Sequence, residues 1–275
     1  MIQIFLLGLI QGLTEFLPIS SSAHLAFFEQ FLKLPYDPVS LLFLDVMLHS
    51  ATTLAVIVYF FKDWIYILLK RRDLLVTIIV ANIPAGVLGL ILSKMGVLES
   101  LRHPLLLVFF LMFGNAIMQW GEDTYHKYHN EGRKYLKDDV GFWDGVTIGL
   151  FQMFALFPGV SRSGSTVAAG FSLGLKRYVA LQFSFLLATP IIILATAYEV
   201  YSYVSDYSDV LYVTAPNFVP PLLILGSMIV AFVSGLVAIK YMLGYLNNNK
   251  FDIFIRYRIW FALFILGYYF YTVLA

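Results

Sequence analysis

The sequence predicts an all-α polytopic membrane protein with six transmembrane helices plus two re-entrant helical hairpins, arranged as an inverted-topology repeat. Three observations carry that expectation: the composition, the spacing of the apolar runs, and a motif plan that occurs twice. Of 275 residues, 60% are hydrophobic and 13% charged, with a mean hydropathy of +0.81. Soluble domains are roughly half apolar and about a quarter charged, so a soluble enzyme is excluded. The net charge of +1 gives no footing for nucleic acid. The absence of cysteine removes disulfides, thiolate metal sites and cysteine nucleophiles. The longest polar interval, 121–141, is too short for a soluble domain, which leaves a single membrane domain over 1–275.

Residues 2–17 are apolar, yet as a helix they reach only ~24 Å against a hydrocarbon core of roughly 30 Å, and Pro18 ends them. A limb that enters and turns back fits that length. The serines after Pro18 start a second short helix, so 2–33 forms the first re-entrant pair, closed by Pro35 and Pro38. Spans follow at 41–61, 74–92 (with Pro84 as a kink) and 104–120, completing a first repeat of about 1–121. A short amphipathic piece carrying Lys62, Lys70, Arg71 and Arg72 separates the first two spans. After the polar loop, 142–175 repeats the opening as a second re-entrant pair. Spans at 180–201, 218–240 and 254–274 then complete a second repeat of about 141–275. The local echo is Gly8-Leu-Ile-Gln11 against Gly149-Leu-Phe-Gln152, each followed by a proline and serines. The opening Met-Ile-Gln-Ile-Phe lacks the basic region of a secretory signal, so residue 1 is expected in the mature chain.

Three spans per repeat force the second repeat to enter from the opposite face. Lys62, Lys70, Arg71, Arg72, Lys127, Arg133, Lys134, Lys137, Lys176, Arg177, Lys240, Lys250, Arg256 and Arg258 fall on one side, and only Lys33, Lys94 and Arg102 on the other. The basic side is therefore expected to be cytoplasmic, with both termini outside. Arg162 belongs to neither set and sits at the tip of the second pair, and hairpins entering from opposite faces bring their tips together near mid-membrane.

Each tip has hydroxyls at the N-terminus of its returning helix, where unpaired N–H groups and the helix dipole favour an anion. Ser20, Ser21 and Ser22 on one tip and Ser161, Ser163 and Ser165 on the other cap those helices and donate to phosphate oxygens in this reading. Arg162 adds a fork of donors matched to phosphate. Glu15 would repel an anion unless it holds a proton, orients His24 or a serine, or ligates a divalent cation. Gln11 shares its helix face, making a Mg²⁺ or Ca²⁺ site on Glu15 and Gln11 geometrically open. His24 is the natural acid, base or nucleophile. A structural ion pair of Glu15 with His24 is the plain alternative, though ionisable residues inside a membrane are functional by default. Asp45 and His49, four apart on the first span, fit helix solvation or dimer contacts as well as site membership. His103, His126 and His129 read as loop residues on solvated surface.

Gln11-x-x-x-Glu15, Pro18-Ile-Ser20-Ser21-Ser22-Ala23-His24 and Pro158-Gly-Val-Ser161-Arg162-Ser163-Gly164-Ser165-Thr166 together resemble the bacterial undecaprenyl-diphosphate phosphatase family, also called the bacitracin-resistance proteins. The resemblance covers nearly the whole chain in length, span count and motif placement. It implies hydrolysis of the C55 isoprenoid diphosphate to the monophosphate in a bacterial plasma membrane, recycling the lipid carrier for peptidoglycan synthesis. It also implies Glu15, Ser21, His24 and Arg162 as the essential catalytic residues, with Gln11, Ser161, Ser163 and Thr166 in support; the substrate-binding set read from the two tips is Ser20, Ser22, Ser161, Ser163, Gly164 and Thr166. The partners implied are a polyprenyl diphosphate and membrane lipids, with no nucleic acid; a homodimer is the one protein assembly the reading allows. Ala23 stands where glycine is usual and Ser22 where threonine is, and Gln11 removes one charge from the metal site. A fainter likeness is to acid phosphatases with PSGH and SR motifs, whose lysine-containing motif is absent here. A phosphorylated-lipid transporter or flippase using the same anion site is the competing reading. The clustering of Glu15, Ser21 and His24 favours the enzyme, because binding alone needs no acid–base set.

Overall fold

The computed structural model describes residues 2–130, 136–207 and 218–274. Among them, regular structure is helical apart from one isolated bridge between Lys137 and Leu175. Two short helices open the chain, α1 (Ile2–Phe16) and α2 (Ser21–Leu32). They are followed by α3 (Pro38–Tyr59), the amphipathic α4 (Phe61–Lys70), α5 (Arg72–Lys94), a single turn α6 (Val97–Ser100) and α7 (Pro104–Asn130). The second half repeats the plan with α8 (Phe142–Gln152), a 3₁₀ turn (Met153–Leu156) and α9 (Arg162–Ser172). Three long helices close it, α10 (Arg177–Tyr207), α11 (Pro221–Asn248) and α12 (Asp252–Leu274). Six helices, α3, α5, α7, α10, α11 and α12, are long and apolar enough to cross a membrane, whereas α1 and α8 with its 3₁₀ turn are shorter apolar helices.

Local chemistry sets several boundaries. Asp37 caps α3 by accepting from the Ser40 N–H at 2.8 Å, and Pro38, which has no N–H to lose, takes the first position. Pro84 and Pro190 lie inside α5 and α10 without ending them, as membrane helices tolerate where neighbours re-satisfy the freed groups.

The structure extends the expected spans at one or both ends. The third does not stop at 120: α7 runs on to Asn130, held by Gln119 donating to Asp123 and by the Glu122–His126 pair one turn apart. His126 is therefore helical, while the side chain of His129 lies outside the described set. Arg133 and Lys134, used above to orient the chain, also lie outside the described residues. Arg258, counted above with the basic side, is fully buried within α12.

Small residues decide which helices meet. A Cβ on Gly8 would strike the carbonyl of Ser227, and one on Gly12 that of Ala231, so α1 lies directly on the backbone of α11. In the second half Gly149 meets the carbonyl of Ala81 and Gly145 meets Thr77, putting α8 in the same close relation to α5. These two contacts drive the α1–α2 turn and the α8–α9 turn into the interior, where they touch.

Candidate active site

Both turns are built on the same strained serine. Ser20, the N-cap of α2, has φ 72° and ψ 92°; Ser161, the N-cap of α9, has φ 77° and ψ 114°. A non-glycine residue held there costs about 1–3 kcal/mol, sustained only by surroundings that over-determine it. The Ser20 hydroxyl accepts from the Ala23 N–H at 3.4 Å and pairs with Ser22 Oγ at 3.2 Å; the Ser161 hydroxyl accepts from the Gly164 N–H at 3.2 Å and pairs with Ser163 Oγ at 3.3 Å. A constant offset of 141 residues carries Gln11 to Gln152, Ser20 to Ser161, Ser21 to Arg162 and His24 to Ser165.

The turns are bonded to each other. The Gly159 N–H donates to Ser20 Oγ at 3.0 Å, Ser163 Oγ donates to the Leu17 carbonyl at 3.1 Å, and Arg162 Nη2 donates to Glu15 Oε1 at 2.9 Å. Residues 15 and 162, remote in sequence, thus share one polar centre. The other Glu15 oxygen, Oε2, accepts from Ser21 Oγ at 2.6 Å and from Gln11 Nε2 at 3.2 Å. Arg162 is 12% exposed, and its Nη1 has no hydrogen-bond partner among the described residues.

Around this centre lies a cavity of about 170 Å³. Its polar wall includes Glu15, Ser20, Ser21, Ser22, His49, Gln152, Ser161 and Arg162; its apolar wall is Ala85, Ala155, Leu156 and Ile191. Whole drug-sized ligands occupy roughly 300–1,000 Å³, so this volume suits a headgroup with the remainder outside. The aligned N-termini of α2 and α9, with the unpartnered Arg162 nitrogen, make it an anion receptor. The Ser21–Glu15 contact adds a hydroxyl already within proton-transfer distance of a carboxylate.

Not every expected residue reaches the cavity. Ser163 is spent on the Leu17 carbonyl, Gly164 lets α9 approach Met118 of α7, and the Thr166 hydroxyl lies 2.7 Å from Ser184 Oγ on α10. These three hold the turn in place. His24 departs most from expectation, since it faces α12. Its Nδ1–H donates to the Ser20 carbonyl at 2.7 Å, which fixes the neutral tautomer so that Nε2 accepts from the Tyr257 hydroxyl at 2.7 Å. The ring stacks on Phe261 with centroids 4.0 Å apart. Burying an imidazole at this turn is tolerable because both nitrogens find partners there.

Other side chains approach from where the sequence left matters open. His49 Nδ1–H donates to the Asp45 carbonyl at 2.9 Å, turning Nε2 to within 3.9 Å of Glu15 Oε2. The Asp45 carboxylate points elsewhere, to Arg102. Gln152 donates to Asn82 Oδ1 at 2.8 Å and leaves its carbonyl oxygen without a partner among the described residues. The echo of Gln11 in Gln152 was the available signal for it.

Glu15 Oε1 accepts from Arg162 and Oε2 from Ser21 and Gln11, while the Gln11 amide oxygen is buried without a hydrogen-bond partner among the described residues. No cluster of three or more His, Asp or Glu suited to a metal occurs among the described residues.

The family model described as bacitracin resistance protein BacA matches residues 4–264. The chain is 37% identical over 271 residues to an undecaprenyl-diphosphatase of Thermodesulfovibrio yellowstonii, covering 97% of this chain and 96% of the relative. It is 36% identical over 263 residues to an undecaprenyl-diphosphatase of a Sulfurihydrogenibium species, covering 94% and 95%. An undecaprenyl-diphosphatase 1 of Burkholderia lata is 35% identical over 268 residues, covering 95% and 92%.

Proposed function

The chain belongs to the bacitracin resistance protein BacA family, and from that premise we infer that the cavity between its two serine turns is the active site of an undecaprenyl-diphosphatase. The enzyme is a multi-pass membrane phosphatase that releases phosphate from undecaprenyl diphosphate. The observation that carries the reading of the site is the 2.6 Å bond from Ser21 Oγ to Glu15 Oε2, with the other carboxylate oxygen held by Arg162.

In this mechanism the diphosphate binds against the N-termini of α2 and α9, its terminal phosphoryl oxygens taken by Arg162 Nη1 and the turn N–H groups. Ser21 Oγ gives its proton to Glu15 and attacks the terminal phosphorus. The P–O bond to the bridging oxygen breaks, and undecaprenyl phosphate leaves. Water then attacks the phosphoserine phosphorus, the bond from phosphorus to Ser21 Oγ breaks, Ser21 Oγ takes back the proton held by Glu15, and inorganic phosphate departs carrying the protons of the water. Arg162 and the helix termini stabilise charge in both steps. His24, with both nitrogens engaged behind the turn, orients the Ser20 carbonyl and hence the cap. Ala85, Ala155, Leu156 and Ile191 receive the first carbons of the isoprenoid. In this reading Mg²⁺ or Ca²⁺ travels with the diphosphate and offsets its charge; no step above depends on it.

The two halves form an inverted repeat of re-entrant pairs in this proposal, with the basic loops cytoplasmic and both termini outside. Supporting it, α1 packs on α11 as α8 packs on α5, an exchange between halves. That architecture also suits a lipid transporter, but transport alone gives Ser21 no reason to sit on a carboxylate. A homodimer would show in detergent as twice the 31.2 kDa mass of the chain.

Purified protein assayed for phosphate release from undecaprenyl diphosphate tests the reading. Activity is expected to fall on the order of 10³-fold or more in Ser21→Ala, with strong losses in Glu15→Gln and Arg162→Ala, and radiolabelled phosphate to be trapped on Ser21. Label on His24, or direct water attack seen by oxygen isotope, would reassign the chemistry. Chelator that stops release in a protein that binds no cation alone fits a cation carried by substrate.

A further inference from the structure

A helix broken by Pro-x or Pro-Gly leaves carbonyls without intrahelical donors, and inside a membrane no water takes them up. The carbonyls of Pro18 and Gly159 are two such groups, one in each serine turn. Both accept from the same side chain. Arg258 Nη1 donates to Pro18 O at 3.2 Å and Arg258 Nη2 to Gly159 O at 2.7 Å; Nη2 also reaches Leu111 O at 2.8 Å and Nε reaches Asn115 Oδ1 at 2.7 Å. The side chain is fully buried, and among the described residues no carboxylate pairs with it. Room for the guanidinium comes from Gly114 on α7, where a Cβ would collide with Arg258 Nη2 and with the Val160 carbonyl.

An uncompensated guanidinium at such depth is expensive, and what it obtains is a set of carbonyls from both turns and from α7. We propose that Arg258 is a positioning residue for phosphate release, setting the two serine turns against each other from behind the cavity. Pro18 and Ser21 belong to one turn, Gly159 and Arg162 to the other. The planar fork of Arg258 therefore fixes how far the attacking hydroxyl stands from the guanidinium that stabilises the reacting phosphoryl group. Lysine keeps the charge and lacks the fork.

The inference rests on the proposed reading of the cavity, and one set of kinetic measurements separates the two. Arg258→Lys and Arg258→Met are assayed on undecaprenyl diphosphate, with kcat expressed per monodisperse molecule after size exclusion and the melting temperature recorded. In both, kcat is expected to fall about 10²-fold, the scale of a ~1 Å misplacement, with KM within about 3-fold, because the headgroup donors remain present. Lowered melting temperature with unchanged kcat per folded molecule would overturn the proposal, and so would full kcat in Arg258→Lys. Where neither variant yields monodisperse protein, Asn115→Ala decides: it removes the Nε acceptor together with the 3.4 Å bond from Asn115 Nδ2 to the Ile255 carbonyl, and about 5-fold lower kcat at unchanged KM is expected. An unchanged kcat there overturns the proposal. A wild-type chain that releases no phosphate would sink the reading of the cavity instead.

Discussion

The α1–α2 turn and the α8–α9 turn share a backbone and differ in chemistry. Both carry a serine N-cap at positive φ, a hydroxyl pair two residues apart and a group bonded back to the cap carbonyl, His24 in one and Ser165 in the other. At the first helical position, however, one turn has Ser21 and the other Arg162, and both point at Glu15. The position matching Glu15 in the second half is Leu156, which lines the apolar wall. Duplicated geometry supplies two anion-favouring helix ends, and in the proposed mechanism divergence at two positions makes one end the source of the nucleophile and the other the source of the cation.

The sharpest way to break that comparison is to exchange the two residues. Ser21→Arg with Arg162→Ser keeps composition, charge and both caps. Because Glu15 stands on the first limb only, the relocated serine at 162 is not expected to be oriented as Ser21 is. Phosphate release should fall on the order of 10³-fold or more, as for loss of the nucleophile. Appreciable activity in the exchanged protein would mean the turns are functionally equivalent, and the assignment of roles would fail.

A smaller effect is expected at His24, where the turns differ in how the cap carbonyl is held. His24→Gln offers a donor to the Ser20 carbonyl and loses the acceptor for Tyr257. Tyr257→Phe removes the same bond from the other side. Each costs one buried hydrogen bond, about 1 kcal/mol, so kcat should fall about 5- to 10-fold in either. A loss near that of Ser21→Ala in His24→Gln alone would return His24 to the chemistry.

What the sequence allowed to be read divides along the same line. Pro18 and Pro158, the serine runs after them and the short limbs before them announce two interrupted helices, since those signals are local. The meeting of the turns followed from counting spans, and Arg162 on Glu15 bears out the proximity. The direction of His24 was not legible: on α2 it depends on where Tyr257 and Phe261 of α12 arrive, more than 230 residues later. Arg258 was hidden for a related reason. Beside Arg256 and close to Lys250 it reads as one more basic residue at a helix start, and only the packing of α12 against α7 sends it inward while Tyr257 goes to His24. His49 fitted helix solvation or dimer contacts as well as site membership, because spacing alone does not say where the ring turns; its bond to the Asp45 carbonyl points Nε2 towards Glu15.

The finest distinction concerns the caps themselves. Ser161 Oγ accepts from one backbone N–H, that of Gly164, whereas Ser20 Oγ accepts from Ala23 on its own helix and from Gly159 on the other turn. Truncating a serine cap costs about 1 kcal/mol, and stranding a second buried donor adds about as much again. Ser161→Ala should therefore destabilise the protein by about 1 kcal/mol and Ser20→Ala by about 2 kcal/mol, measured as a difference in detergent melting curves. Equal shifts would mean that the Gly159 N–H finds another acceptor once the Ser20 hydroxyl is gone. The Ser20 variant should also lose more activity, because the bond it gives up is one that spans the two turns.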